Sequence, residues 1–190
     1  SPDHLWTRIG LSTVDQSAPY YRVDGYWNGA VWMPHQWFYW KALLDLGKSA
    51  EALQIARTGL EVWKAEVDDS YHCFEHFIVA SGRGAGWHQF SGLSSPVLAW
   101  FNAYHRPGRL TGGLDAWIME QAWAPDRTRL EATLVIAGSG SSTVLATMDP
   151  SRSYRATWNG RAVPSDSPWP GTLQITLPRG GPAGKLVVSS

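Results

Sequence analysis

The aromatic residues are spread so unevenly along this chain that they constrain its fold before anything else does. Of the 24 in 190 residues, 12 of them Trp, 21 fall before residue 124, and only Tyr154, Trp158 and Trp169 come after it. A stretch loaded with rings has large apolar side chains to bury and is not a disordered chain. The remainder instead carries short β-branched runs at 130–137, 142–148, 154–158, 172–177 and 185–189, separated by Gly, Ser and Pro clusters. That pattern predicts a small antiparallel β-domain, with Asn159-Gly160 as a two-residue hairpin turn because both residues accept positive φ. We therefore expect two parts, 1–123 and 124–190, the first mainly α.

The helical expectation rests on punctuation. Pro34 suits a first helical turn, the apolar run His35 to Leu46 follows, and Gly47 suits the C′ position. Ser49 then offers an oxygen to cap a second helix, in which Leu53, Ala56, Leu60, Trp63 and Val67 recur on one face. Ser94 and Ser95 before Pro96 open a third, Val97 to about Tyr104, which Arg106-Pro107-Gly108 stops. Gly112 to Pro125 is the expected connection to the β-domain, with Trp117 and Trp123 as its anchors. Three helices cannot close a core of that many rings alone.

Charge narrows the function. The formal net charge is zero, which gives no global attraction to nucleic acid or to an anionic membrane. Charged residues make up 17% of the chain, below the roughly 25% of an average soluble domain. The apolar runs are a few residues long, far short of the ~20 that span a bilayer. A single cysteine, Cys73, excludes an internal disulfide without deciding the compartment.

Two irregular stretches are too rich in glycine and rings to be ordinary loops, Asp24 to Pro34 (DGYWNGAVWMP) and Tyr71 to Leu93 (YHCFEHFIVASGRGAGWHQFSGL). Rings beside a few polar groups suit a sugar, whose C–H groups pack on aromatic faces while its hydroxyls need placed donors and acceptors. Core packing is the alternative for each tryptophan. Glu75 is the one carboxylate embedded among these rings, between Phe74 and Phe77 with His72 and His76 near, and such surroundings tune carboxylates for acid/base work. Its structural alternative is a pairing with a histidine or with Arg83. Gly82, Gly84 and Gly86 permit a tight backbone but follow no strand, so they form no phosphate-binding fingerprint. His72-Cys73-Phe74-Glu75-His76 spells H-x-x-E-H, the inverted zinc-peptidase signature. That motif needs a helix and a third ligand, whereas Phe77-Ile78-Val79 is β-branched and runs into glycines. We expect neither metal nor cofactor.

Tyr26-Trp27-Asn28-Gly29-Ala30-Val31-Trp32, a Gly47-terminated helix, a second helix, the Glu75 segment, the glycine-rich 82–86 and Phe90-Ser91-Gly92-Leu93 occur in an order that resembles glycoside hydrolase family 63 and its (α/α)6-barrel relatives. The likeness covers roughly residues 24 to 105. It implies the C-terminal portion of an (α/α)6 barrel followed by the small β-domain. It also implies inverting hydrolysis of a glycosidic bond in an oligosaccharide or glycoside, with Glu75 as general base. Trp27, Trp32, Trp87 and Phe90 would line the sugar site, with His35, Gln36 and His88 bonding to hydroxyls. Asn28 and Ala30 stand where the family has Arg and Pro, so its substrate specificity does not carry over. The family's catalytic acid lies upstream of residue 24; Asp3, Asp15 and Asp24 are candidates by proximity alone. The resemblance therefore makes these residues part of a larger enzyme whose N-terminal remainder is another segment or chain. The competing reading is a non-catalytic carbohydrate-binding fragment, with a zinc peptidase through His72-x-x-Glu75-His76 as a minor alternative.

Overall fold

The computed structural model describes residues 4–190, so Asp3 lies outside the described residues. The chain divides into two compact units, one built from residues up to Trp40 with Leu53–Trp100, the other from Lys41–Ala52 with Phe101–Ser190.

The elements of the first unit begin with a two-residue antiparallel ladder, β1 (Trp6–Thr7) with β2 (Gly10–Leu11). Helix α1 (Met33–Asp45) starts one residue before the predicted proline and is followed by Gly47, whose φ of +65° lets the Gly47 and Lys48 N–H groups bond back to Leu44 and Leu43. Helix α2 (Ser49–Ser70) follows directly. Its buried stripe is Ala52, Ile55, Ala56, Gly59 and Glu66, while Leu53, Leu60, Trp63 and Val67 are only half-buried. The stripe runs through small residues because the helix approaches its neighbour closely there; a Cβ on Gly59 would lie 2.5 Å from the Trp100 ring. Tyr71 to Phe90 is extended and turning chain whose only ladder is β3 (His76–Phe77) with β4 (Gly84–Ala85). A single turn, α3 (Ser91–Ser94), precedes α4 (Pro96–His105), which has the predicted bounds to within a residue.

The second unit holds two antiparallel sheets. One has the strand order β10-β9-β13-β7-β6 and the other β11-β12-β8-β5. Their strands are β5 (Arg109–Thr111), β6 (Ala116–Trp123), β7 (Arg129–Ile136), β8 (Ser141–Thr147), β9 (Arg155–Trp158), β10 (Arg161–Ala162), β11 (Ser165–Trp169), β12 (Thr172–Pro178) and β13 (Gly184–Ser189). Alternate residues of both sheets, among them Leu130, Leu134, Val144, Ile175, Leu177, Leu186 and Val188, meet in one buried cluster. Asn159 and Gly160 sit at φ +50° and +78° between β9 and β10, the hairpin expected of that pair. The C-terminal end of α1 belongs to this unit. Buried Asp45 accepts from the N–H groups of Leu114, at 2.6 Å, and Asp115, while Arg179 donates to the Ala137 and Asp45 carbonyls at 2.6 and 2.7 Å and pairs with Asp115.

The mainly-α expectation is overturned. Strand accounts for 33% of the residues and helix for 26%, and among the described residues only α1, α2 and α4 exceed one turn. The expected (α/α)6-barrel portion is therefore not what these elements build. Two segments make the difference. The glycine-rich chain around 71–90 closes through one two-residue ladder and isolated bridges instead of helical turns, and after α4 the chain enters strands at Arg109, so that β5 and β6 precede residue 124. Among the described residues no helix is long and apolar enough to cross a membrane.

Candidate active site

One backbone exchange assembles the site. Val31 and Phe77 trade both hydrogen bonds at 2.9 Å, an isolated antiparallel bridge that lays the DGYWNGAVW segment along the Glu75 segment. On the other side Glu75 N–H donates to Trp87 O at 3.0 Å, and Phe90 N–H to Cys73 O at 2.8 Å, which returns the 84–90 chain alongside. Glu75 is thus enclosed by backbone from both directions.

Its carboxylate has two donors. The Tyr26 hydroxyl donates to Oε1, and the Trp87 N–H donates to Oε2 at 3.3 Å. His76 Nδ1 lies 3.9 Å from Oε2 and is buried with no hydrogen-bond partner of its own. Burial pushes the His76 pKa below the ordinary histidine value, and the neighbouring carboxylate only partly offsets this. The Tyr26 phenol is pushed up, first by its bond to Glu75. Gly86, at φ +77°, is what lets the carboxylate sit here, since a Cβ would come within 2.3 Å of Oε2.

Beside the carboxylate stands a three-layer stack. Trp27 lies on Trp32 with ring centroids 3.9 Å apart and planes 9° apart, and Trp32 lies on His76 at 5.0 Å and 18°. Tyr26 meets Trp27, Trp32 and His76 edge-on. Trp32 is 3% exposed and Trp27 58%, so the outer face of Trp27 is the one open to a ligand.

The other predicted residues divide. Trp87 and His88 are exposed and stack at 6.1 Å, with His72 edge-on to His88 at 5.0 Å, a second ring group on the same returning chain as the Glu75 donor. Phe90 is exposed. His35 is half-buried, packs edge-on to Tyr39 and has its pKa lowered by burial. Gln36 is buried, and both ends of its amide engage the Leu11 backbone at 2.8 Å, tying α1 to the β1–β2 ladder. The H-x-x-E-H letters lie in extended chain, and among the described residues no group of three or more His, Cys, Asp or Glu is placed to hold a metal ion.

Arg83 is engaged elsewhere than at Glu75. Its guanidinium donates to both oxygens of Glu66, at 2.9 and 3.1 Å, and pairs with Asp69 at 2.6 Å, while the Gly84 N–H donates to Glu66 at 2.8 Å. Burial alone would raise the Glu66 pKa, but the bonds from Arg83 and Gly84 outweigh it and hold it below the ordinary value. A buried carboxylate on α2 thus anchors the glycine-rich chain that carries Gly86 and Trp87. Neither Glu66 nor the Tyr26 contact was legible beforehand, because both partners lie far away in sequence. Among the candidate acids, Asp15 accepts from Ser17 N–H at 2.8 Å, from its hydroxyl at 2.7 Å and from His4 at 2.8 Å; the Ser17 bonds foremost hold its pKa down. Asp24 is exposed on a turn.

Known proteins resemble part of this chain. Two solved structures from Thermus thermophilus, an uncharacterized conserved protein and a GH63 mannosylglycerate hydrolase in complex with glucose, are each 28% identical with a TM-score of 0.41, over 50% of this chain. The chain spans 23% and 22% of their respective lengths. No curated protein is significantly similar to it. Residues 1–91, the part that holds Glu75, Tyr26 and the ring stack, match the family model of the mannosylglycerate hydrolase MGH1-like glycoside hydrolase domain.

Proposed function

We propose that this chain serves the inverting hydrolysis of a glycosidic bond in an oligosaccharide or glycoside, with Glu75 as the general base. The observation that carries this reading is the Glu75 carboxylate itself, held at one oxygen by the Tyr26 hydroxyl and at the other by the Trp87 N–H, beside an aromatic wall whose outer layer is open. An ionised carboxylate takes a proton from water as the water attacks the anomeric carbon, while a protonated carboxyl donates to the leaving oxygen. The attacking water must fit between the two carboxyls, which places them ~6.5 to 9.5 Å apart. The outer Trp27 face, with Trp87 and Phe90, takes the sugar's C–H faces, and His35 and His88 serve its hydroxyls. Gln36 acts behind the wall by fixing the β1–β2 ladder, and Trp32 as the middle layer that orients Trp27.

The proton donor on this reading belongs to the remainder of the enzyme, as another segment or chain. Asp15 supports that placement by its bonds from Ser17, which favour the ionised form and so oppose proton donation near neutral pH. The test is Glu75→Gln in the intact enzyme, followed by sugar release and by sugar binding. The amide keeps the shape but accepts no proton, so turnover should fall on the order of 10²- to 10⁴-fold while binding persists. Wild-type turnover in the variant overturns the assignment. Binding without turnover in both forms selects the carbohydrate-binding alternative.

A further inference from the structure

A groove lies wholly within the second unit. It runs between the turn at 149–154 and the β11–β12 hairpin and encloses about 410 Å3, within the ~300–1,000 Å3 of small-molecule sites. Its base is apolar, formed by buried Leu173 and the half-buried ring of Tyr154, whose hydroxyl donates to Asp149 O at 2.9 Å and so fixes the ring. Its rim is polar and exposed, with Arg152 and Ser153 on the turn and Ser165 and Asp166 on β11. Gln174 Nε2 donates to Asp166 Oδ2 at 2.8 Å, which sets the carboxylate with Oδ1 able to accept from a ligand. The hairpin is seated just as firmly. Gly171, at φ +80°, packs so closely that a Cβ would lie 2.7 Å from Met148 O.

The donors and acceptors on this rim select the ligand. Arg152 only donates, Asp166 only accepts, and the two serines do both. Vicinal hydroxyls, each a donor and an acceptor, answer such a rim, and the C–H face of a pyranose packs on the Tyr154 and Leu173 base. An anion is answered poorly, because the Arg152 charge already acts on Asp126 and Asp149 and Asp166 faces the same space. An added peptide strand is answered poorly too. β11 is the sheet edge, but Pro168 and a break in register between Asp166 and Trp169 interrupt the ladder that such a peptide would extend. From these features we infer that the groove is a second, non-catalytic saccharide-binding site, selective for a neutral mono- or disaccharide unit.

The experiment is a 1H–15N NMR titration of the intact protein with maltose, cellobiose and trehalose as separate probes and with sulfate as a control. At least one sugar should give saturable shifts at Tyr154 and Ser165 to Ser167, weakened on the order of tenfold or more by Asp166→Ala and left in place by Trp27→Ala. Arg152→Ala, at an exposed position, provides a second variant should Asp166→Ala fail to fold. The inference is overturned if none of the sugars shifts the groove, if the shifts persist unchanged in both groove variants, or if sulfate alone produces them. Turnover in Glu75→Gln reports on the other site, so the two readings fail separately.

Discussion

Gly86→Ala tests whether the Glu75 geometry is what the site depends on. At φ +77° the new methyl would lie 2.3 Å from Glu75 Oε2 and 2.9 Å from His76 Cε1. His76 is buried and stacked on Trp32, so it has little room to yield. The carboxylate must therefore retreat by roughly 1 Å to reach ordinary contact, and a misplacement of ~1 Å in reacting groups costs on the order of 10²-fold in rate. Separately, an alanine at positive φ costs about 1–2 kcal/mol of stability. Gly82→Ala separates the two effects. Gly82 has φ +73°, but the nearest atoms its Cβ would meet belong to the Arg8 guanidinium, at 3.0 Å, the far end of an exposed side chain. Steady-state sugar release and denaturant melts of both variants in the intact enzyme are the assay. Both should lose similar stability, and only Gly86→Ala should lose about two orders of magnitude in kcat. A Gly86→Ala enzyme near the wild-type kcat, or a Gly82→Ala enzyme equally impaired, refutes the reasoning.

Other perturbations have defined outcomes. Tyr26→Phe removes a hydroxyl donor to Glu75 from a half-exposed ring, so kcat/KM should fall on the order of tenfold with little change in melting temperature. Glu66 has a folded pKa below its ordinary 4.5, so the native state binds fewer protons than the unfolded chain in that region. Its contribution is complete above the unfolded value and lost as pH falls through the folded one. Urea melts between pH 6 and about pH 3 should therefore show a shallower acid loss in Glu66→Gln than in wild type. Asp45→Ala leaves the Leu114 and Asp115 N–H groups without their carboxylate acceptor, and chemical denaturation should register a loss of about 2–3 kcal/mol.

What could be read from the chain beforehand was what local chemistry dictates. Pro34 and Gly47 bracket α1, Pro96 opens α4, and Asn159-Gly160 turns the β9–β10 hairpin, each because a backbone conformation is available to few residues. The first part's β content escaped for a physical reason. β6 carries Trp117, Met119 and Trp123 and has no buried alternation, so no period-2 signal marks it. On α2 the apolar pattern pointed to Leu53, Ala56, Leu60, Trp63 and Val67; Ala56 is buried, yet the buried stripe otherwise passes through residues such as Gly59 and Glu66. A buried glutamate offers no hydrophobic signal, and its guanidinium partner lies 17 residues on, beyond the end of the helix.

The residues of the candidate site show the same limit more sharply. Tyr26, Trp27 and Trp32 stand within one short motif, and nothing in its spacing distinguishes their roles. The distinction comes from the Val31–Phe77 bridge. With Val31 paired to Phe77, the flanking Trp32 and His76 fall against each other, which makes Trp32 an inner layer with both faces covered. Trp27 then closes the stack from outside, and Tyr26, 49 residues from Glu75, reaches its carboxylate. A pairing shifted by one residue would turn the neighbouring side chains to the opposite face and leave the carboxylate without its phenol. The aromatic richness that suggested a sugar-binding surface thus supplied the parts, and one non-local backbone pair decides which ring stays exposed, which one lies covered beneath it and which one bonds to the Glu75 carboxylate.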